Sequence, residues 1–358
     1  MSAAEAQHTG RIALAYDGDS REPSAWSGIP RNLADALQGA GVEVVHVSAE
    51  PGRLERRLRR LSIHGEDRAA AATAAFARRL RRSGSVDAVL QLGSEFTAPD
   101  GVRVATYDDM TILQARRLEH PLLDRLGEAE IEAWAERQRS IFAAATACFT
   151  AARWAADSVI EDYGVPAERV HVVGFGRNLD PRPVDREWSP PRYLFVGQDW
   201  RRKGGETLLA AFRALRQRVP GATLTVVGHH PRLAAEPGLE LTGGLWLNRA
   251  ADRDRMERLY ESSTCLVLPS EIEPAGIVYL EAAAAGVPSI GTTVGGAAEM
   301  IGDGGRLVDP GDVDGLTAAM LELADPETAA SLGAAAREHC ERFTWPKIAD
   351  RIATVLDL

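Results

Sequence analysis

The chain has 358 residues, 45% of them hydrophobic and 26% charged, and a formal net charge of -10. This is the balance of a soluble globular protein of two-domain length; it excludes a disordered or fibrous chain, and the acidic excess excludes a general affinity for nucleic-acid backbone. Cys148, Cys265 and Cys340 stand far apart with no C-x-x-C pair, no apolar run approaches the roughly 20 residues of a bilayer span, and residues 1–10 lack a basic-then-apolar leader pattern, so a reducing, cytoplasmic location is expected.

Short β-branched runs alternate with helical patterns along the chain. A strand is predicted over 11–16, a helix over 30–38 closed by Gly39, and a second strand over 42–47. The basic runs at 53–60 and 78–82 read as solvated helix faces, the alternative being docking to an anionic membrane or a charged acceptor. Alanine-rich residues 69–77 are good helix formers and little else. Strands follow at 87–92, 102–107, 147–150 and 169–173, and the proline-rich stretch 181–191 reads as a linker. The pattern then restarts with a strand at 193–196, a helix at 205–218 and a strand at 222–227. Strands at 265–268 and 288–291 and three helices complete it. The alternation predicts an α/β protein with parallel sheets covered on both faces, built as two Rossmann-like domains. Their predicted bounds are 1–184 and 185–342, with 343–358 a final helix.

Three segments carry the chemistry. The first is Glu273-Pro-Ala-Gly276-Ile277-Val278-Tyr-Leu-Glu281, behind an apolar strand. Pro274 suits a first helical turn, and Gly276 removes a side chain where backbone N–H groups are unpaired. Such a helix start attracts phosphate, with Glu273 at its mouth. Glu281, two turns on, could accept hydrogen bonds from a pair of sugar hydroxyls. The plain alternative is a strand–loop–helix unit with two surface glutamates. The second segment, Gly197-Gln198-Asp199-Trp200-Arg201-Arg202-Lys203-Gly204, places three cations at the carboxyl end of a strand, where open α/β sheets bind ligands. Nearly all other cations are arginine; only Lys203 and Lys347 are lysine. A compact ammonium there suits a diphosphate leaving group. The third is Trp26-Ser27-Gly28, where Gly28 at a helix start permits close approach of a phosphate or sugar.

Together these segments resemble the family-4 retaining glycosyltransferases of GT-B fold, most densely over 192–343. The E-x7-E element of that family matches Glu273 and Glu281, continued by Gly286, Pro288 and Gly295-Gly296-Ala-Ala-Glu299. The resemblance implies that Glu273 contacts the transferred sugar, that Glu281 contacts the nucleotide ribose, and that the amides after Gly276 contact sugar and phosphate. The family's G-R-x4-K element corresponds to Gly197, Gln198 and Lys203. Gln198 lacks the family's charge, for which Arg201 or Arg202 is the candidate replacement. Asp108 stands where many relatives have histidine. It is expected to face the transferred sugar or the acceptor hydroxyl, or else to cap a helix starting near Met110.

The resemblance further implies a GT-B pair of domains facing across a cleft, with the acceptor on the N-terminal side and the nucleotide-sugar donor on the C-terminal side. The final helix would cross back to the first domain. The expected reaction is transfer of a sugar from a nucleotide-diphosphate sugar with retention of anomeric configuration, without metal or cofactor. A GT-B nucleotide-sugar epimerase, a phosphorylase and a degenerate sugar-nucleotide binding protein are the alternatives. The Asp17-Gly-Asp19 and Asp312-Val-Asp314 patterns are read as loop residues rather than metal ligands.

Overall fold

The computed structural model describes residues 9–52 and 65–358, and of 65–67 the backbone alone. The basic run at 53–60 and nearly all of the leader region lie outside the described residues. The chain divides into two compact units, Met1–Gly176 with Trp345–Leu358, and Arg177–Thr344.

The first unit holds a six-stranded sheet. Its strands are β1 (Arg11–Tyr16), β2 (Glu43–Ser48), β3 (Ala88–Leu92), β4 (Val104–Asp108), β5 (Ala147–Thr150) and β6 (Val170–Val172). They lie in the order β2-β1-β3-β4-β5-β6, all parallel. The central strands β3, β4 and β5 are buried throughout, as strands covered on both faces must be. Phe76 and Leu80 of the helix Gly65–Arg82 pack with Ala13, Ala15 and Val89 to form one core layer. The final helix, Trp345–Leu356, buries Trp345, Ile348, Ala349, Ile352, Ala353 and Leu356, one stripe at helical spacing. It packs on the helix Ile29–Gly39 within this unit. Gly39, predicted to close that helix, is its last helical residue, and the cap is Ala40.

The second unit holds β7 (Arg192–Gly197), β8 (Thr223–Gly228), β9 (Leu239–Gly243), β10 (Cys265–Val267), β11 (Ser289–Thr292) and β12 (Gly305–Val308). The order is β12-β11-β10-β7-β8-β9, again all parallel. The sequence pattern misses β9 and β12. Both are edge strands with half-exposed residues, so neither shows the apolar run that marks β7 or β10. The helix Gly205–Arg218 matches its predicted bounds. Leu208, Leu209, Phe212 and Leu215 form its buried stripe, with Glu206 in its first turn and Arg216 and Arg218 in its last, which complements the helix dipole.

The order of the second sheet reverses between β7 and β10: the chain builds outward from β7 through β8 and β9, then returns to the other side. Ligands of open α/β sheets bind outside the carboxyl ends of the strands at such a reversal. The loops after β7 and β10 carry the two strongest sequence segments.

Candidate functional site

The loop after β7 turns tightly. Lys203 N–H donates to the Asp199 carbonyl at 2.9 Å and Gly204 N–H to the Arg201 carbonyl at 3.0 Å. Gly204 has φ +72°, and a Cβ there would lie 1.9 Å from the carbonyl oxygen of Pro269, in the loop after β10. A glycine is therefore what allows the two loops to touch. That contact sets Lys203 beside Glu273: the ammonium Nζ donates to Oε2 of the carboxylate. Ser270 Oγ donates to the same oxygen at 3.0 Å. Glu273 is 3% exposed. Burial presses the Lys203 ammonium below the ordinary lysine range, and the Glu273 charge partly opposes this.

Beyond Glu273 the chain enters the helix Ile277–Ala284 through Gly276, at φ +86° and ψ +71°, with no side chain capping the helix start. A Cβ on Gly276 would lie 2.6 Å from the Tyr279 ring, so glycine is required for the close turn as well as the dihedral. The first-turn amides, those of Ile277 and Val278 among them, have no intrahelical acceptor and form the positive end of the helix dipole. Glu281 lies inside this helix and is 3% exposed. Tyr260 OH donates to its Oε2 at 2.7 Å, and the backbone amides of Asn178 and Leu179 bond to it. Burial nonetheless lifts its carboxyl to about 7. Neither glutamate is a surface residue, so the plain alternative for this segment is overturned.

Arg202 is turned into the same loop: its Nη1 donates to the Ile272 carbonyl at 3.0 Å, and its Nε stands 3.7 Å from Asp199 Oδ2. Arg201 and Gln198 are exposed. The structure therefore gathers Lys203, Arg202, Glu273, Gly276, Ile277 and Val278 about one sheet edge, with Glu281 beneath. Sequence reasoning missed Ser270 and Tyr260. Ser270, three residues before Glu273 in the same loop, was open to inspection. Tyr260 belongs to a different helix, Ala250–Ser262, and no spacing in the sequence ties it to Glu281.

Gly28 and Asp108 belong to the first unit. Trp26, Ser27 and Gly28 are all left-handed, at φ +37°, +56° and +82°, leading into the helix Ile29–Gly39. Trp26 Nε1 donates to Asp109 Oδ2 at 3.3 Å, and its ring meets Tyr107 and Phe175 edge-on. Asp108 ends β4 and is 5% exposed. Burial holds its carboxyl well above the usual range, with Asp109 and Glu95 adding to the shift. The capping alternative is overturned. The helix begins at Ile112, and Thr111 and Gln114 cap it reciprocally.

The two D-x-D patterns have local structural roles. Asp19 accepts from the backbone and side chain of Arg21, and Asp312 caps the helix Val313–Glu322. Cys148, Cys265 and Cys340 are buried free thiols. Among the described residues no helix is long and apolar enough to cross a membrane.

Residues 190–325 match the family model described as Glycosyl transferases group 1. Over 256 residues it is 29% identical to alpha-maltose-1-phosphate synthase of Mycolicibacterium smegmatis, covering 63% of this chain and 66% of that protein. The match thus spans just under two thirds of that relative's length. Among solved structures, sucrose-phosphate synthase from Thermosynechococcus elongatus superposes with a TM-score of 0.72 at 21% identity, over 96% of this chain and 98% of that one. Anabaena Alr3699/HepE, solved in complex with UDP and glucose, superposes with a TM-score of 0.66 at 16% identity, over 97% and 99% of the two chains. The fold is GT-B.

Proposed function

We propose that the chain is a retaining glycosyltransferase that moves a sugar from a nucleotide-diphosphate sugar to an acceptor hydroxyl without a metal ion. The observation that carries this reading is the Lys203–Glu273 pair at the reversal of the second sheet, beside the uncapped helix start at Gly276. The bound nucleotide and sugar of the Anabaena structure support a donor of this class.

As the donor's C1–O bond breaks, negative charge grows on the diphosphate and positive charge on the sugar ring. Lys203 and the first-turn amides are fixed donors for the leaving group, needing little reorganisation in a site from which water is largely excluded. Glu273, bonded to Lys203 before the donor arrives, yields that ammonium to the diphosphate and turns its carboxylate to the sugar. Glu281 takes the ribose hydroxyls. The acceptor oxygen forms its bond on the face the diphosphate leaves, which retains configuration, and the hydroxyl proton passes to the departing phosphate oxygen on that face.

The test is incubation with UDP-, GDP-, ADP- and TDP-sugars, with and without sugar acceptors, after exhaustive chelation. Acceptor-dependent release of the nucleoside diphosphate, with product of the donor's anomeric configuration by NMR, is the expected result. Epimerised donor without acceptor, strict dependence on inorganic phosphate, or loss of turnover restored by Mg²⁺ or Mn²⁺ would overturn it.

A further inference from the structure

The Glu281 carboxylate has two claims on it. The chain enters the second unit at Arg177 and leaves it after Thr344, and inside that unit these two ends are tied together. Arg177 N–H donates to the Phe343 carbonyl at 3.1 Å, and its guanidinium Nη1 to the Cys340 carbonyl at 3.0 Å. Its Nε donates to Asp180 Oδ1 at 2.8 Å, which closes a short turn over 177–180. Within that turn the backbone amides of Asn178 and Leu179 bond to the Glu281 carboxylate. The group read above as the ribose acceptor is thus also the anchor of the chain's entry into this unit.

Both roles cannot be filled at once. An ionised carboxylate offers about four lone-pair sites. Tyr260 OH takes one at Oε2, and the amides of Asn178 and Leu179 take two more. A ribose diol brings two hydroxyl donors, so a resident donor must yield. Tyr260 is fully buried in the helix Ala250–Ser262. Asp180 is exposed and Arg177 and Asn178 are half-buried, so the turn is the partner that can move. Burial independently gives the same answer: Glu281 is 3% exposed, and a diol cannot reach it until something over it shifts.

We propose that the turn over 177–180 is a latch on Glu281 that the nucleotide ribose opens, resting on the transferase reading above. The 2′- and 3′-hydroxyls displace at least one of the Asn178 and Leu179 amides, which turns to water. Released from Glu281, the turn can change its dihedral angles, and Arg177 carries the change to Phe343 near the departing end of the unit. A ribonucleotide in the donor site is thereby felt at both points where the chain crosses between the units. A 2′-deoxynucleotide, with one hydroxyl for the one remaining lone pair, fills the site and leaves the latch shut.

The experiment is hydrogen exchange of the full chain at pH 8, with UDP, GDP and ADP and the 2′-deoxy counterpart of each. Binding itself is read from slowed exchange in the helix Ile277–Ala284. With a bound ribonucleotide, exchange at Asn178 and Leu179 speeds up by about tenfold, the loss of one amide hydrogen bond, while the deoxy counterpart leaves it within about twofold of the free chain. Glu281→Ala shows the fast exchange without any nucleotide. Tyr260→Phe vacates a lone pair, so in that variant the ribonucleotide binds and the two amides stay slow; this variant also serves if Glu281→Ala does not fold. Unchanged or slower exchange at Asn178 and Leu179 in the ribonucleotide complex, equal effects of ribo- and deoxynucleotide, or wild-type behaviour of Tyr260→Phe would overturn the latch alone. Binding of none of the nucleotides would overturn the transferase reading and the latch with it.

Discussion

Lys203 and Glu273, 70 residues apart in sequence, form an ion pair where the loops after β7 and β10 meet. Their side chains are 13% and 4% exposed, so solvent screens the pair little. Removing one partner of such a pair strands the other charge in a poorly hydrated place. Lys203→Ala is therefore expected to do two separable things. Turnover falls by about 100-fold or more through loss of a preorganised charge on the leaving group, and stability falls by roughly 3 kcal/mol through the unpaired Glu273. Adding Glu273→Gln should recover most of the melting temperature and none of the turnover. Calorimetry and steady-state rates on the single and double variants check this; turnover of Lys203→Ala within threefold of wild type would refute the assignment.

This half of the site was legible in the sequence because its parts are contiguous. Glu273, Gly276 and Glu281 share one loop and one helix, and a lone lysine among arginines stands out without any structure. The partners that come from elsewhere were not legible. Tyr260 meets Glu281 only because two helices pack together, and the Asn178 and Leu179 amides reach it from the start of the second unit. The edge strands β9 and β12 escaped for a related reason: pairing and context define them, while their own residues are half-exposed.

The Glu281 carboxyl, lifted to about 7 by burial, makes a pH-dependent prediction. The folded chain holds this proton to higher pH than the unfolded chain, so its contribution to stability declines as pH rises from about 4.5 to about 7 and is level above. Glu281→Gln removes that decline, and its melting temperature should gain on wild type across this window. Nucleotide affinity should move the opposite way. In wild type it rises as pH passes 7 and the carboxylate becomes a full acceptor for hydroxyls; in the variant it stays flat. Glu95 titrates in the same range, so the difference between variant and wild type at each pH is the quantity to plot.

Gly204→Ala tests whether the contact of the two loops is essential. The substitution meets both a left-handed φ of +72° and a Cβ position 1.9 Å from the Pro269 carbonyl oxygen, a backbone atom that cannot rotate away. A loss of roughly 2 kcal/mol or more is expected, with turnover falling because Lys203 and Glu273 are pushed apart. Gly101→Ala is the control: it sits at φ +77° with nothing within 4 Å, so it reports dihedral strain alone. Equal melting temperatures for the two variants would show that the close approach does not matter.

Asp108→Asn separates a buried structural role from a direct catalytic one. Burial and the neighbouring charges of Asp109 and Glu95 hold the Asp108 carboxyl well above the usual range. The unfolded chain releases the carboxyl proton near pH 4, and stability is lost progressively as pH climbs above that value. Asparagine is close to the neutral acid in shape and cannot ionise. Its melting temperature should match wild type near pH 4 and exceed it increasingly as pH rises from there. If the role is structural, turnover should stay within roughly threefold, a barrier change of less than 1 kcal/mol. A fall in kcat of about 100-fold with melting temperature unchanged would instead put Asp108 at the sugar as a charged or proton-transferring group. Asp109, whose carboxylate already accepts from the Trp26 indole, gives the contrast: Asp109→Asn should loosen the left-handed turn at Trp26 and Ser27, visible in indole fluorescence, without the pH-dependent gain in stability.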